Sequence, residues 1–334
     1  MKPTIKDVAQ KANVSIATVS RILNNQPGYS EKTKEKVLKV IEEMGFHPNG
    51  IARGLVNKRT KTIGVLLPNV ASSFTSKLLN GLEESAHEND YSMIICNTDH
   101  NGKRTLDYLR VLGEKKVDGL IFVSQVVRDE YYKVMQSLGI PVVLVSSQSY
   151  KYPIPYVKVD DVQAAYQATS YLIHNGHKKL AMIGGDLEDE LVGIPRLEGF
   201  KKALKDNGLS INENLIVHGD FGFQSGKRCM EQLVPHLTDF TAIFTASDDM
   251  ALGALSTAYE QNLRVPDDFS LVGFDNTNIS EMSIPPLTTV AQPLWEMGNT
   301  AVEKIIEMIE REQTHIESSI LSHAIVERGT VKKI

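Results

Sequence analysis

Residues 16–24, Ile16-Ala17-Thr18-Val19-Ser20-Arg21-Ile22-Leu23-Asn24, hold side chains that can read nucleic-acid bases. Arginine can donate two hydrogen bonds to guanine, asparagine can pair with adenine in the same way, and small apolar groups can touch a thymine methyl. The hydroxyls of Ser15, Thr18 and Ser20 can hold phosphates. An ordinary helical hairpin with a solvated polar face carries the same residue types, so this stretch needs its context to acquire meaning. No catalytic constellation competes with it. The sequence has no GxxxxGK[ST] loop: around Gly226-Lys227, Phe221 stands where the first glycine is required and Arg228 where Ser or Thr is required. His87-Glu88 lacks the second histidine of a zinc helix, and nine scattered histidines form no ligand spacing. Asp248-Asp249 could be imagined as a catalytic pair, but adjacent residues point apart, and the pair reads better as the start of a helix, where carboxylates are stabilised.

The base-reading residues need helices to present them. Ile5, Val8 and Ala9 recur at helical spacing over about residues 5–12. Asn13 can take a left-handed turn with Val14 buried beneath it, and Ser15 can cap a second helix over about 16–24, with Val19, Ile22 and Leu23 inward. A third helix reads over about 31–44, capped by Ser30 and stopped by Gly45, with Val37, Leu38 and Ile41 inward. After Pro48, residues 49–57 can form two helical turns. Two glycines make that helix marginal alone. Leu55 is an apolar group in a basic segment and could wedge between base steps in a minor groove; the alternative is a linker with Leu55 packed on the next domain.

From residue 62 the pattern becomes alternating strands and helices. Strands are expected at 63–67, 92–96, 119–123, 141–145 and 157–159, then at 180–183, 216–217, 242–244 and 270–274, with one closing strand near 320–326. Amphipathic helices lie between them, the last over about 293–310. Such alternation implies a doubly wound parallel sheet, here in two similar halves.

The blocks Ile5-Lys6-Asp7-Val8-Ala9, Val14-Ser15-Ile16-Ala17-Thr18-Val19-Ser20-Arg21, Pro48-Asn49, Ala52-Arg53-Gly54-Leu55, Val272-Gly273-Phe274-Asp275 and Pro286-Leu287-Thr288-Thr289-Val290 together resemble the LacI/GalR family of bacterial transcription regulators. The resemblance spans essentially the whole chain, and Ile16-Ala17-Thr18 is similar to the catabolite-control branch. It implies an all-α helix-turn-helix head (1–48), a hinge (49–61) and a periplasmic-binding-protein-like α/β body. The body's two subdomains would be discontinuous, 62–160 with 293–322 and 161–291 with 323–334. The DNA-facing set it implies is Thr4, Ser15, Ile16, Ala17, Thr18, Ser20, Arg21, Asn24, Tyr29, Asn49, Ala52, Arg53 and Leu55.

Ligand is expected in the cleft between the halves, at the C-terminal ends of strands. Arg196 opens Arg196-Leu197-Glu198-Gly199-Phe200, a match to a family motif whose arginine faces the effector. Asp275 ends its strand and could accept hydroxyl protons. Phe221 stands where the family often has a stacking aromatic, and Ser247 where some relatives carry a longer polar side chain. Asp160 and Gln292 fall at crossovers between the halves, and Asn69 and Phe74 follow the first strand. Phe74 and Phe221 could equally be core, and Asp160 and Ser247 helix caps. Polar groups with one aromatic suit a sugar or sugar phosphate. In relatives that use a phosphorylated carrier protein as corepressor, a basic residue on the helix after 293 matters; Trp295 and Glu303 occupy that region here, so that partner is not carried over. Leu78, Leu82 and Met297 are candidates for a dimer surface, or else for core.

Charge agrees with a DNA-binding head. Residues 1–61 hold 12 Lys and Arg against 5 Asp and Glu, while the remainder holds 24 against 36. Cys96 and Cys229 give no disulfide framework or metal spacing. With no apolar run of membrane length and no signal peptide before the first helix, a cytoplasmic location is expected. The expectation is a homodimeric repressor of carbohydrate-utilisation genes on a pseudo-palindromic operator, with no cofactor, metal or membrane partner. The competing reading is a solute-binding protein or sugar-binding enzyme on the same body.

Overall fold

The computed structural model describes residues 3–23, 26–46, 59–99, 102–313 and 316–334. The chain divides into two compact units, Met1–Lys61 and Thr62–Ile334. The first holds α1 (Ile5–Ala12), α2 (Ile16–Leu23) and α3 (Glu31–Met44). Thr4 and Asp7 form a capping box at the start of α1, each side chain accepting from the other's backbone N–H. Asn13, at φ 51°, ends α1 in the left-handed conformation, and Ser15 Oγ accepts from the Thr18 N–H at 3.0 Å to start α2. Val8, Ala9, Ala12, Val19, Ile22, Val37, Val40 and Phe46 form the core between the helices. The expected inward stripe of α3 needs correction: Val37 and Val40 are buried, whereas Leu38 is 46% exposed. Residues 38 and 40 flank the 37–41 stripe on opposite sides at equal angular spread, so helical spacing alone does not choose between them. Asn24, Asn49, Ala52, Arg53 and Leu55 lie outside the described residues.

The second unit is built on two six-stranded sheets. The first contains β1 (Thr62–Leu67), β2 (Ser92–Asn97), β3 (Gly119–Val123), β4 (Val142–Val145), β5 (Tyr156–Val159) and β11 (Ser319–Leu321). The second contains β6 (Leu180–Gly184), β7 (Ile216–His218), β8 (Ala242–Thr245), β9 (Ser270–Asp275), β10 (Thr288–Ala291) and β12 (Ala324–Val326). Their orders, β11-β5-β4-β3-β1-β2 and β12-β10-β9-β8-β6-β7, repeat one topology. All pairs are parallel except β10–β12. Buried apolar runs such as Gly119-Leu120-Ile121-Phe122-Val123 suit strands covered on both faces.

Helices α4 (Ser73–Glu88) and α12 (Leu294–Arg311) cover one face of the first sheet, while α5 (Thr105–Glu114) and α6 (Asp129–Leu138) cover the other. On the second sheet α7 (Asp161–His174) and α8 (Gly193–Asp206) face α9 (Phe223–Leu233) and α10 (Asp248–Glu260) across the strands; α11 (Asn278–Met282) follows β9. Leu78, Leu82 and Met297 are fully buried in the first core, which corrects their candidacy as a dimer surface. The chain passes between the lobes after β5, after β10 and between β11 and β12. The single closing strand expected near 320–326 is thus two three-residue strands in different sheets, with polar Ser322-His323 interrupting the apolar run.

Candidate base-reading face and ligand cleft

Val19 and Ile22 anchor α2 in the core of the head, which turns Ile16, Ala17 and Arg21 outward. Those three, with Ser15 and Thr4, are exposed; Thr18, Ser20 and Tyr29 are half-buried. Tyr29 packs against the core. The side chain of Arg21 passes close to Gly28, at φ 115°, a conformation glycine adopts without strain. The outer face of α2 therefore presents a long cation, two small apolar groups and hydroxyls on a rigid turn, the equipment for direct readout in a major groove.

Both sheets reverse strand order beside their first strand, and such a switch point leaves a crevice at the C-terminal strand ends. Backbone strain collects there. Asp99, Ser124, Ser146, Phe221, Asp275 and Asn276 all have positive φ, and each lies at or just after the C-terminal end of a strand. Non-glycine residues in this conformation concentrate where function over-determines geometry.

The second lobe builds a charged centre at those ends. Arg196, in the first turn of α8, is 3% exposed. Its Nε and Nη2 reach Asp161 Oδ1 at 3.0 and 2.9 Å, and its Nη1 donates to the Ala246 carbonyl at 2.6 Å. The guanidinium lies 3.6 Å from the Phe274 ring centroid and 6.0 Å from that of Phe221. Lys158 Nζ pairs with the other oxygen of Asp161 at 3.2 Å. Asp275 Oδ1 accepts from Gln292 Nε2 at 2.7 Å and lies 4.0 Å from Arg196 Nη1. Burial holds the Asp275 carboxyl well above the usual range against the pull of Arg196, and the charge of Asp248 adds to the rise. Asp248 is itself buried and pushed up to about 6, although it accepts from the Thr277 N–H and from the Thr277 and Thr289 hydroxyls.

Arg196, Phe221, Asp275 and Gln292 thus converge. Ser247 joins them structurally: its Oγ accepts from the Met250 N–H as the α10 cap and donates to the Phe221 carbonyl. Asp160 is exposed and caps α7 through Gln163. Asn69 Oδ1 accepts from the Ala71 N–H in the loop after β1, and Phe74 packs half-buried against the first core. Sequence reasoning missed Lys158, Asp161 and Phe274. Lys158 and Asp161 stand three residues apart, a legible spacing, but the Asp161–Arg196 pair spans 35 residues and carries no local signal. Asp249, read only as a helix start, accepts from Ser73 Oγ of the other lobe at 3.2 Å. Among the described residues no group of His, Cys, Asp and Glu is disposed to hold a metal ion, and no helix is long and apolar enough to cross a membrane.

Residues 4–49 match the family model described as bacterial regulatory proteins of the lacI family. Residues 60–328 match that of periplasmic binding proteins and the sugar-binding domain of the LacI family. The chain is 39% identical to catabolite control protein A of Priestia megaterium over 99% of its own length and 100% of the relative's. The structure is similar to the lac repressor dimer bound to operator and the anti-inducer ONPF (TM-score 0.89, 28% identity, 99% of each chain) and to the transcriptional regulator CelR in complex with cellobiose (0.74, 29%, 98% and 100%). These matches span the helical head and the two-lobed body alike, so the chain belongs to the LacI family: it is a DNA-binding transcriptional regulator and not an enzyme.

Proposed function

We propose that the chain is a homodimeric, cytoplasmic repressor of carbohydrate-utilisation genes whose grip on a pseudo-palindromic operator is set by a sugar-class effector in the interlobe cleft. The convergence of Arg196, Phe221, Asp275 and Gln292 at the switch point carries this reading. It offers fixed hydrogen-bonding groups beside an aromatic ring, which is what hydroxyl-rich ligands require. The cellobiose complex of a similar regulator supports it. Two heads would read two half-sites through Ile16, Ala17 and Arg21, with Thr4, Ser15, Thr18, Ser20, Asn24 and Tyr29 completing the contact set. The hinge would add Asn49, Ala52 and Arg53, and Leu55 of each subunit would enter the central base step. Strongly exposed Tyr259, Met282 and Ile284 on the second lobe support self-association there.

The test is titration of the full chain against a near-palindromic duplex and random competitor, with and without candidate sugars. One bidentate base contact discriminates by ~1–3 kcal/mol. Arg21→Ala should therefore lower the specific-to-nonspecific ratio by roughly 5- to 150-fold. An unchanged ratio removes Arg21 from base readout, and operator affinity indifferent to every sugar tried removes the effector class.

A further inference from the structure

We infer that Arg328 is a positioning residue that couples self-association of the second lobe to closure of the cleft: it holds residues 276–287 as one piece, so a second copy seated on Met282 and Ile284 steadies the carbonyl that Lys77 grasps. This rests on the self-association proposed through Met282 and Ile284 and gives that contact a regulatory consequence. Arg328 stands two residues beyond β12, and its side chain is only 13% exposed. Its terminal N–H groups reach four acceptors on one loop. Nη2 donates to Asn276 Oδ1 at 2.8 Å and to Glu281 Oε1 at 3.1 Å. Nη1 donates to the Leu287 carbonyl at 2.9 Å and to Ser280 Oγ at 3.2 Å. The planar guanidinium fixes these acceptors relative to one another, which a flexible ammonium does not do. Neighbouring bonds seat the arginine itself. Its N–H donates to Thr288 Oγ1 at 2.9 Å, and the Gly329 N–H donates to the Pro286 carbonyl at 2.8 Å.

This loop faces two different partners. At its start, the Asn276 carbonyl accepts from Lys77 Nζ of the first lobe at 2.8 Å. Further along, Met282 and Ile284 are 74% and 94% exposed. Ser283 lies between them, and its Oγ donates to the Ser280 and Pro285 carbonyls at 3.2 and 3.0 Å. The exposed pair is therefore tied to α11, α11 to Arg328, and Arg328 to the carboxamide of Asn276. A second copy covering the pair restrains the loop, and the restraint reaches the carbonyl that Lys77 holds. Coupling of this kind is reciprocal: closure of the cleft favours the dimer by the same factor by which the dimer favours closure.

The experiment needs no effector. The ligand-free full chain is acylated with sulfo-N-hydroxysuccinimide acetate, and peptide mass spectrometry follows half-buried Lys77 against exposed Lys115. Sedimentation gives the oligomeric state. Ile284→Glu should yield monomer and raise the Lys77 rate roughly fivefold, the worth of one such hydrogen bond, with Lys115 unchanged. Arg328→Gln should raise the rate as much on its own, and adding Ile284→Glu to it should raise the rate no further. Asn276→Gly keeps the carbonyl, removes the acceptor of Arg328 and suits a φ of 54°. It should match Arg328→Gln, and it carries the test if that variant fails to fold. A monomeric Ile284→Glu with an unmoved Lys77 rate, or two effects that simply add, overturns the coupling and leaves self-association standing. Wild type that sediments as a monomer, or Ile284→Glu that stays dimeric, removes the proposed surface and the coupling with it.

Discussion

Asp248 illustrates what burial does to a single side chain in this cleft. It is fully buried, accepts three hydrogen bonds and still titrates near 6, so desolvation outweighs its donors. The carboxyl cannot relax outward, because Thr277 and Thr289 hold it from two sides and its Oδ1 lies close against Gly273. The sign of the pH dependence follows. In the unfolded chain this carboxyl ionises near its ordinary value of 3.8. Between roughly pH 4 and 6 the native state therefore holds the proton more tightly. Stability from this group is fully present below that window, lost as pH rises through about 6, and level above it. At ~1.4 kcal/mol per pH unit the whole effect is of order 3 kcal/mol. Compared with Asp248→Asn, wild type should gain stability in chemical denaturation as pH falls from 7 to 5, and the gap between them should be constant from 7 to 8. A gap that stays flat down to pH 5 would mean that Asp248 keeps an ordinary carboxylate pKa.

At the scale of elements, the sequence is most legible where one local rule decides. The α/β alternation showed because strands covered on both faces are apolar runs, and the starts of α3, α7 and α10 showed because Ser30, Asp160 and Ser247 are capping types. Where two solutions share one pattern, reading stalled. Leu38 and Val40 both border the apolar stripe of α3, and only packing into the core of the head chooses Val40. Leu78 and Met297 read equally well as interface or core, because a second copy and a neighbouring helix demand the same side chains. The deciding clue was glycine. A Cβ on Gly298 would stand 2.6 Å from the Leu78 carbonyl oxygen and 2.7 Å from the Leu82 nitrogen, so α4 and α12 touch backbone to backbone. This sets two effects against each other. Alanine in place of a helical glycine is worth ~1 kcal/mol in propensity, whereas overpacking a rigid contact costs ~1–3 kcal/mol. The obstructing atoms are backbone and cannot turn aside, so Gly298→Ala should lower the urea midpoint. A raised midpoint would show that the helices can separate without loss. The charged centre was half legible for a related reason: Asp275 stands out at the end of β9 and Arg196 at the head of its motif, but Asp161, which pairs with Arg196, comes from a different strand-to-helix turn, and only the closed topology brings the three together.

For the molecule as a whole, regulation requires that the lobes have more than one arrangement and that ligand prefer one of them. In the structure the lobes are tied by the three chain crossings and by side-chain bonds from the start of α4. Ser73 Oγ donates to Asp249 and Lys77 Nζ donates to the Asn276 carbonyl. Asn276 is itself fixed, since its φ is 54° and its Oδ1 accepts from Arg328 Nη2 at 2.8 Å. Lys77 therefore bonds to a rigid carbonyl, and that bond exists only while the lobes are together. Lys77 is partly solvated, which places its net worth near ~1 kcal/mol. If Lys77 is cut back to alanine, the ligand itself must supply that share of closure. The competent fraction of the ligand-free protein then falls and the apparent effector Kd rises by the same factor, about fivefold. The measurement is effector titration of wild type and Lys77→Ala, with Lys115→Ala on the outer surface as control. A fivefold rise confined to Lys77→Ala would identify the α4 contact as part of the closing equilibrium, and equal affinities would mean that this bond persists in every state that effector and operator select between.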